Sequence, residues 1–214
     1  MGSVTEITAT ALERAARIDL AAAFRLAVRL DLHEGVCNHF SVMLADGRTF
    51  LLNRYGLHWS EVAASNLIAL DADGNILAGD GEYEKTAFYI HSRIHLGSPH
   101  AACVLHTHMP YATALTLLEG GRLEMVEQNA LRFYDDIAYD DTYNGLVVDN
   151  AEGDRLARTL GNKRVMFLAN HGVIVVGASS RIMRHAVLAT SGRTGRSFPP
   201  IMRASTCRRQ ARSR

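Results

Sequence analysis

The sequence has no long apolar run and few cysteines, and it ends without acidic residues. None of its hydrophobic stretches approaches the roughly 20 residues that cross a bilayer, so we expect no membrane partner. The N-terminal segment lacks the basic and then apolar regions of a secretory signal. Three cysteines lie far apart in 214 residues, without a CxxC pair. This usage fits a reducing compartment better than a disulfide framework, and we expect a cytoplasmic protein.

Charge divides the chain into two parts. The segment 178–214 contains nine arginines and no lysine, aspartate or glutamate, while the rest carries 14 basic against 22 acidic residues. We therefore expect one domain over residues 1–177 and a basic tail over 178–214 that is disordered or an aberrant end of the chain. A nucleic-acid-binding arm is the alternative for the tail, but the acidic domain favours no nucleic-acid partner.

The hydrophobic periodicity changes along the chain between helical and strand-like patterns. Asp-Gly turns separate short apolar runs in the first half, which favours antiparallel pairing. The predicted helices are 6–31, 85–97, 111–118 and 150–160, and the predicted strands are 40–44, 49–52, 67–70, 101–108, 164–169 and 173–176. The sequence therefore predicts an α/β fold.

Three histidines form the strongest candidate for a chemical site. His106 and His108 are two residues apart in a predicted strand, so their side chains lie on one face, close enough to share a metal ion. Pro110 cannot donate to a central ladder, which puts the pair at the end of the strand. His171 interrupts an apolar stretch and would be costly to bury without a partner. The three imidazoles together predict one bound divalent ion.

Other histidines are weaker candidates. His91 and His95 are four residues apart on a predicted helix and could also chelate, but no HExxH arrangement accompanies them. We interpret them as structural groups or as supports for the ligands. The remaining five have no partner that the sequence identifies: His33, His39, His58, His100 and His185.

Several motifs taken together resemble those of the class II aldolase/adducin family, particularly its adducin-like branch, over about residues 14–177. The motifs are Pro99 with His106-Thr107-His108, Asn170-His171-Gly172, Asn38-His39-Phe40-Ser41, Gly56-Leu57-His58-Trp59-Ser60-Glu61-Val62, Ile137-Ala138-Tyr139 and Tyr143-Asn144-Gly145. The resemblance implies a three-layer α/β/α fold with a mostly antiparallel central sheet. It also implies zinc bound by His106, His108 and His171, and assembly as a homo-oligomer, a tetramer in the family.

The resemblance also locates differences from sugar-phosphate aldolases. Those enzymes place a glutamate nineteen residues before the first ligand of the HxH pair, and that position is Ala87 here. Their phosphate-binding serines correspond to Lys85 and Thr86, of which Lys85 could meet an anion as a point charge. Their phosphate loop, of Thr-Gly type, corresponds roughly to Tyr55-Gly56. The set of candidate substrate-binding residues is Asn38, Gly56, Lys85, Gln128 and Tyr134, and no catalytic residue is assigned.

Two functions follow as hypotheses. The first is a zinc-dependent lyase of the class II aldolase type, which cleaves a carbon–carbon bond of a small oxygenated substrate by retro-aldol cleavage or decarboxylation. A metal-stabilised enolate would form, and decarboxylation needs no base for a carbon-bound proton, which is compatible with Ala87. The alternative is a non-enzymatic, adducin-like interaction module that retains a structural metal site.

Overall fold

The computed structural model describes residues 4–178 of the chain. Its helices are α1 (Val4–Arg29), α2 (Lys85–Gly97), α3 (Pro110–Thr116) and α4 (Asn150–Leu160), with short 3-10 turns at Trp59–Glu61 and Ala130–Phe133. Its strands are β1 (His39–Met43), β2 (Phe50–Leu52), β3 (Ile68–Leu70), β4 (Ile76–Ala78), β5 (Cys103–Thr107), β6 (Ile137–Asp140), β7 (Val165–Leu168) and β8 (Val173–Gly177).

The eight strands form one sheet in the order β4-β3-β2-β1-β5-β8-β7-β6. Every neighbouring pair is antiparallel except β6 and β7, which run parallel because α4 connects them. β5 lies in the middle, between β1 and β8, and its residue His106 is opposite His39 on β1 and Ile174 on β8. This register brings three distant segments of the chain to one place.

Alternate residues of each strand point to opposite faces of the sheet, and each face has its own core. On one face, Leu105 and Phe40 belong to a cluster that includes Phe24 of α1 and Trp59. On the other face, Val104 packs in a cluster with residues of α2 and α4. Helices therefore cover both sides, and the predicted three-layer α/β/α arrangement with a mostly antiparallel sheet is confirmed.

Local chemistry explains where the main helices begin and end. The Asp149 side chain accepts a hydrogen bond from the backbone N–H of Glu152 and caps α4, and Gly161 ends it with a positive φ. The bounds of α2 and α4 match the predicted ranges 85–97 and 150–160. Helix α1 ends two residues earlier than predicted, and Asp31 beyond it has a φ of 58°.

Two strands were missed. The three residues of β4 are all apolar, so no alternation of polar and apolar positions marks the strand, and all three are exposed. β6 contains residues that the motif comparison used but that no periodicity identified as a strand. Within residues 4–178, no helix is both long and apolar enough to cross a membrane. The predicted basic tail lies, from residue 179 onward, outside the described residues, and the boundary at residue 177 remains a prediction.

Candidate metal centre

Strand β5 carries two histidines at its carboxyl end. His106 is the fourth residue of the strand and is buried, with 1% of its surface exposed. The strand ends at Thr107, and Pro110 then begins α3 with its missing N–H at the first helical position, where no donor is needed. His108 lies between these two elements, its side chain 17% exposed. The pair therefore spans the border between the buried sheet and the surface.

The third histidine lies in the turn between β7 and β8. Asn170 adopts a φ of 56°, and its backbone N–H donates to the Thr116 carbonyl at the end of α3. His171 follows, and its backbone N–H donates to the Leu168 carbonyl. A Cβ on Gly172 would lie 2.6 Å from the Thr107 carbonyl oxygen. Only glycine allows the turn to approach the end of β5 this closely.

The sheet and this turn bring together the three histidines that the sequence singled out. The ring centroids of His106, His108 and His171 lie 4.7 to 4.9 Å from one another. One ligating atom from each lies within 4.8 Å of the other two, and among residues 4–178 this is the only such group of three or more histidine, cysteine or acidic side chains. We call these three residues the triad.

Hydrogen bonds fix the tautomers of two triad rings. His106 Nδ1 lies 3.2 Å from the Val173 carbonyl oxygen, and His108 Nδ1 lies 2.6 Å from Glu34 Oε2. A carbonyl and a carboxylate only accept, so each Nδ1 carries a hydrogen, and in the neutral form of either ring the lone pair lies on Nε2. The two Nε2 atoms are 3.1 Å apart. When both rings are neutral, two lone pairs face each other, and a cation bound by both would remove that repulsion.

The electrostatics of the triad also fit a metal ligand set. Burial, together with neighbouring histidines, holds the pKa of His106 well below its ordinary value. Burial first and the charge of His108 second lower the pKa of His171 to about 4. Both rings are therefore neutral near pH 7, the form in which histidine binds a metal. The carboxylate of Glu34 behind His108 is the kind of outer partner that orients such ligands.

The candidate substrate-binding residues are more dispersed. Asn38 is fully buried beside the triad, where its Oδ1 accepts from the backbone N–H groups of Glu34 and His108, and its Nδ2 is buried without a partner in the described part of the chain. Gly56 is in a loop with a φ of 80°. Lys85, Gln128 and Tyr134 are exposed, and the roles assigned to all five remain predictions.

Ala87 lies in the first turn of α2, 1% exposed in an apolar cluster. The Glu84 side chain caps that helix by accepting from the Ala87 backbone N–H at 2.7 Å and also contacts the Thr86 hydroxyl. Glu84 is thus engaged at the end of its own helix. No acidic group is provided by α2 at the position where the resemblance implied one.

Several histidines have partners that the sequence did not identify. His39 is buried and bonded to His91, which with His95 forms a further buried group on the same side of the sheet. His33 and His58 meet with their Nε2 atoms 3.0 Å apart. His91 and His95 are not members of the triad, and their interpretation as structural groups or supports for the ligands remains a prediction. His100 contacts the Lys163 carbonyl, and His185 lies outside the described residues.

Comparison with known proteins identifies the family of this chain. A profile described as the class II aldolase and adducin N-terminal domain matches residues 18–190. The chain belongs to the class II aldolase and adducin family. An adducin-related protein of Schizosaccharomyces pombe is 37% identical over 194 residues, which is 85% of this chain and 59% of that protein. The chain thus spans less than two thirds of the length of this relative.

Solved structures of the family share the fold. An aldolase II superfamily protein from Pseudomonas syringae superposes with a TM-score of 0.79 at 33% identity, covering 89% of this chain and 77% of that one. The L-fuculose 1-phosphate aldolase of Glaciozyma antarctica gives a TM-score of 0.72 at 24% identity, covering 89% and 74%. At that identity, the second comparison supports the fold alone.

Proposed function

We propose that the chain is a zinc-dependent lyase that cleaves a carbon–carbon bond in a small oxygenated substrate by retro-aldol cleavage or decarboxylation. The observation that supports it is the approach of His106 Nε2 and His108 Nε2 to 3.1 Å, with His171 beside them. Three neutral imidazoles with an open fourth position are the ligand set of many catalytic zinc sites. Zinc bound there would polarise a carbonyl and stabilise the negative charge that develops as the bond breaks.

In this proposal the residues of the chain hold the metal and orient the substrate, and none of them is assigned a proton transfer. Glu34 and the Val173 carbonyl fix the rings of the ligands His108 and His106. Ala87 cannot accept a proton, so the reaction that fits best needs no base for a carbon-bound proton, which favours decarboxylation. Lys85, Gln128 and Tyr134 are surface groups that could meet an anionic or polar part of the substrate, and Asn38 and Gly56 complete the candidate set.

The first experiment is elemental analysis of the purified full chain. We expect one zinc per chain, and no zinc in a variant in which His106, His108 and His171 are all alanine. Equal zinc in both proteins would contradict the site. If the wild type contained manganese or iron and the variant did not, the proposed site would stand but its metal would not be zinc.

The second experiment tests turnover. The zinc-loaded protein is assayed on a panel of hydroxy acids, keto acids and sugar phosphates. His108→Ala should abolish any activity found, while its free energy of unfolding falls only modestly, because the side chain lies beyond the end of β5 and belongs to none of the apolar clusters of residues 4–178. Activity that survives His108→Ala would exclude the proposed chemistry.

The second candidate is an adducin-like module that associates with proteins and retains the metal as a structural element. Two observations favour it: Ala87 in place of an acid, and the similarity to a protein named adducin-related. Zinc content does not separate the two functions. Under this candidate no panel substrate is turned over, and His108→Ala changes stability only.

Association of subunits is part of either proposal. We propose a homo-oligomer in the cytoplasm, as the resemblance implied. Five large apolar side chains between residues 111 and 134 are exposed, which a second copy could cover: Tyr111, Leu117, Val126, Leu131 and Tyr134. Sedimentation analysis of the full chain should give a mass above that of one chain; a monomer at all concentrations would contradict this.

A further inference from the structure

A second set of histidines fills the space between the sheet and α2. It consists of His39 and Ser41 on β1 and His91 and His95 on α2, and we call it the relay. All four side chains are buried. His39 Nδ1 lies 2.7 Å from His91 Nε2, the Ser41 hydroxyl lies 2.5 Å from His91 Nδ1 and 2.7 Å from His95 Nε2, and His95 Nδ1 lies 2.6 Å from the Ala101 carbonyl oxygen.

The relay is neutral near pH 7. Burial, as the largest cause, lowers the pKa of His95 to about 4 and the pKa of His91 well below its ordinary value. His39 is also buried, with 3% of its surface exposed, and burial disfavours a charged ring. Each ring therefore carries one N–H hydrogen, on either Nδ1 or Nε2.

The Ala101 carbonyl determines which nitrogen carries the hydrogen in each histidine of the relay. A carbonyl only accepts, so His95 carries its hydrogen on Nδ1 and accepts at Nε2. The Ser41 hydroxyl must then donate to His95 and accept from His91 Nδ1. His91 Nε2 is left with a lone pair and accepts from His39 Nδ1. One backbone oxygen thus sets the direction of four hydrogen bonds.

The relay ends at the metal centre. His39 is directly opposite His106 in the β1–β5 register, and their ring centroids are 4.8 Å apart. With Nδ1 used as a donor, His39 keeps a lone pair on Nε2, and this atom makes no hydrogen bond to any residue in the range 4–178. His39 is also outside the group of three that could share one ion. One turn before His91 on the same helix, Ala87 offers no acceptor.

We propose that the relay holds His39 Nε2 as a fixed hydrogen-bond acceptor beside the triad, and that this atom binds a hydroxyl group of the substrate. The substrate class is then a compound with a hydroxyl next to the carbonyl or carboxylate that meets the metal. This identification rests on the function proposed above. His39 would contact the substrate, whereas Ser41, His91 and His95 are positioning residues that act through it.

The direct test reads tautomers without any substrate. The full chain, labelled with ¹⁵N-histidine and loaded with zinc, is studied near pH 7 by long-range ¹H–¹⁵N correlation NMR. We expect His39, His91 and His95 all to carry hydrogen on Nδ1, with an unprotonated and metal-free Nε2 on His39. Hydrogen on Nε2 of His39, or zinc bound there, would overturn the proposal.

Two matched variants test whether the relay causes this state. Ser41→Ala removes the hydroxyl that connects the two helix histidines, and His39 should then populate both tautomers while zinc remains bound. Ser92→Ala is the control, because Ser92 is a buried serine of α2 whose hydroxyl has no hydrogen-bond partner within the described residues. An unchanged His39 tautomer in Ser41→Ala would contradict the relay.

Kinetics separate the substrate assignment from the general function. If a hydroxylated substrate is turned over, Ser41→Ala should raise its KM at least about 10-fold with little change in kcat, as expected for lost binding shared by ground and transition states. Ser92→Ala should change neither constant. Turnover of substrates that lack the hydroxyl with the same kcat/KM would overturn the role of His39 and leave the lyase proposal intact.

Discussion

The triad and the relay are both built mainly from histidines and meet where His39 of β1 pairs with His106 of β5, yet their ring hydrogens are arranged in opposite ways. In the relay every ring hydrogen has a protein acceptor, and the lone pair of His39 Nε2 is left at the end that faces the triad. In the triad the Nδ1 hydrogens of His106 and His108 point outward to oxygens, and the two Nε2 atoms face each other 3.1 Å apart. The difference teaches that hydrogen-bond direction, more than histidine clustering, distinguishes a metal site from a structural network.

Lowering the pH should disrupt the relay, and we expect this change to have the largest effect on the stability of the fold. Below its ordinary pKa of 6.5 a histidine of the unfolded chain takes up a proton, whereas folded His39 and His95 resist until their lowered pKa values of about 3 and 4. The unfolded state therefore binds more protons in this window, and stability falls as pH falls from about 6.5 toward 4. Each such histidine contributes up to about 1.4 kcal/mol per pH unit.

Urea unfolding of the zinc-free chain at several pH values measures this slope. The triad triple-alanine variant is the control, because it removes the other lowered histidines and leaves the relay. A substantial slope should persist in that variant. If the pH dependence of the free energy of unfolding disappeared in that variant, the triad histidines would be its cause, and the predicted effect of acid on the relay would be wrong.

Gly172→Ala should break the triad without removing a ligand. The new Cβ would lie 2.6 Å from the Thr107 carbonyl oxygen and 2.8 Å from His108 Cδ2, so the turn or the ring must move. Overpacking of this kind costs about 1–3 kcal/mol of stability, and we expect zinc affinity to fall at least about 10-fold. Competition with a chromogenic chelator measures the affinity.

A second glycine separates displacement of the ligands from general backbone strain. Gly47 has a φ of 66°, and a Cβ there would meet no atom within 4 Å. Gly47→Ala should lower stability through the left-handed backbone, by about 1–2 kcal/mol, and leave zinc affinity unchanged. Equal losses of zinc affinity in the two variants would show that the approach of Gly172 to β5 does not position the ligands.

The two clusters differ in how far the sequence could predict them. His106 and His108 were visible because a strand puts positions i and i+2 on one face, and His171 because it interrupts an apolar run. The i, i+4 spacing of His91 and His95 was visible as well. Their connection to His39 was not, because it depends on the packing of α2 against β1, between residues 52 apart in the chain.

The same contrast applies to the fold. Helices α2 and α4 were predicted at their observed bounds because capping residues and glycines mark their ends locally. Strand β4 was missed because its three residues are all exposed, so its place depends only on pairing with β3. Local patterns thus predicted elements and ligand types, whereas sheet order and the register that joins His39 to His106 required tertiary structure.

Glu34→Gln should weaken the triad by the smallest amount, and it tests whether the outward acceptors matter. The amide keeps an oxygen for the His108 Nδ1 hydrogen but loses the charge that strengthens that bond. Changing such an outer partner costs about 10–100-fold in metal affinity, and because the Glu34 side chain is 64% exposed we expect the lower end. Glu61→Gln is the control for charge, since Glu61 accepts from the His58 backbone instead. If both variants lose zinc equally, the effect is long-range charge, and the direction of the His108 hydrogen bond does not define the site.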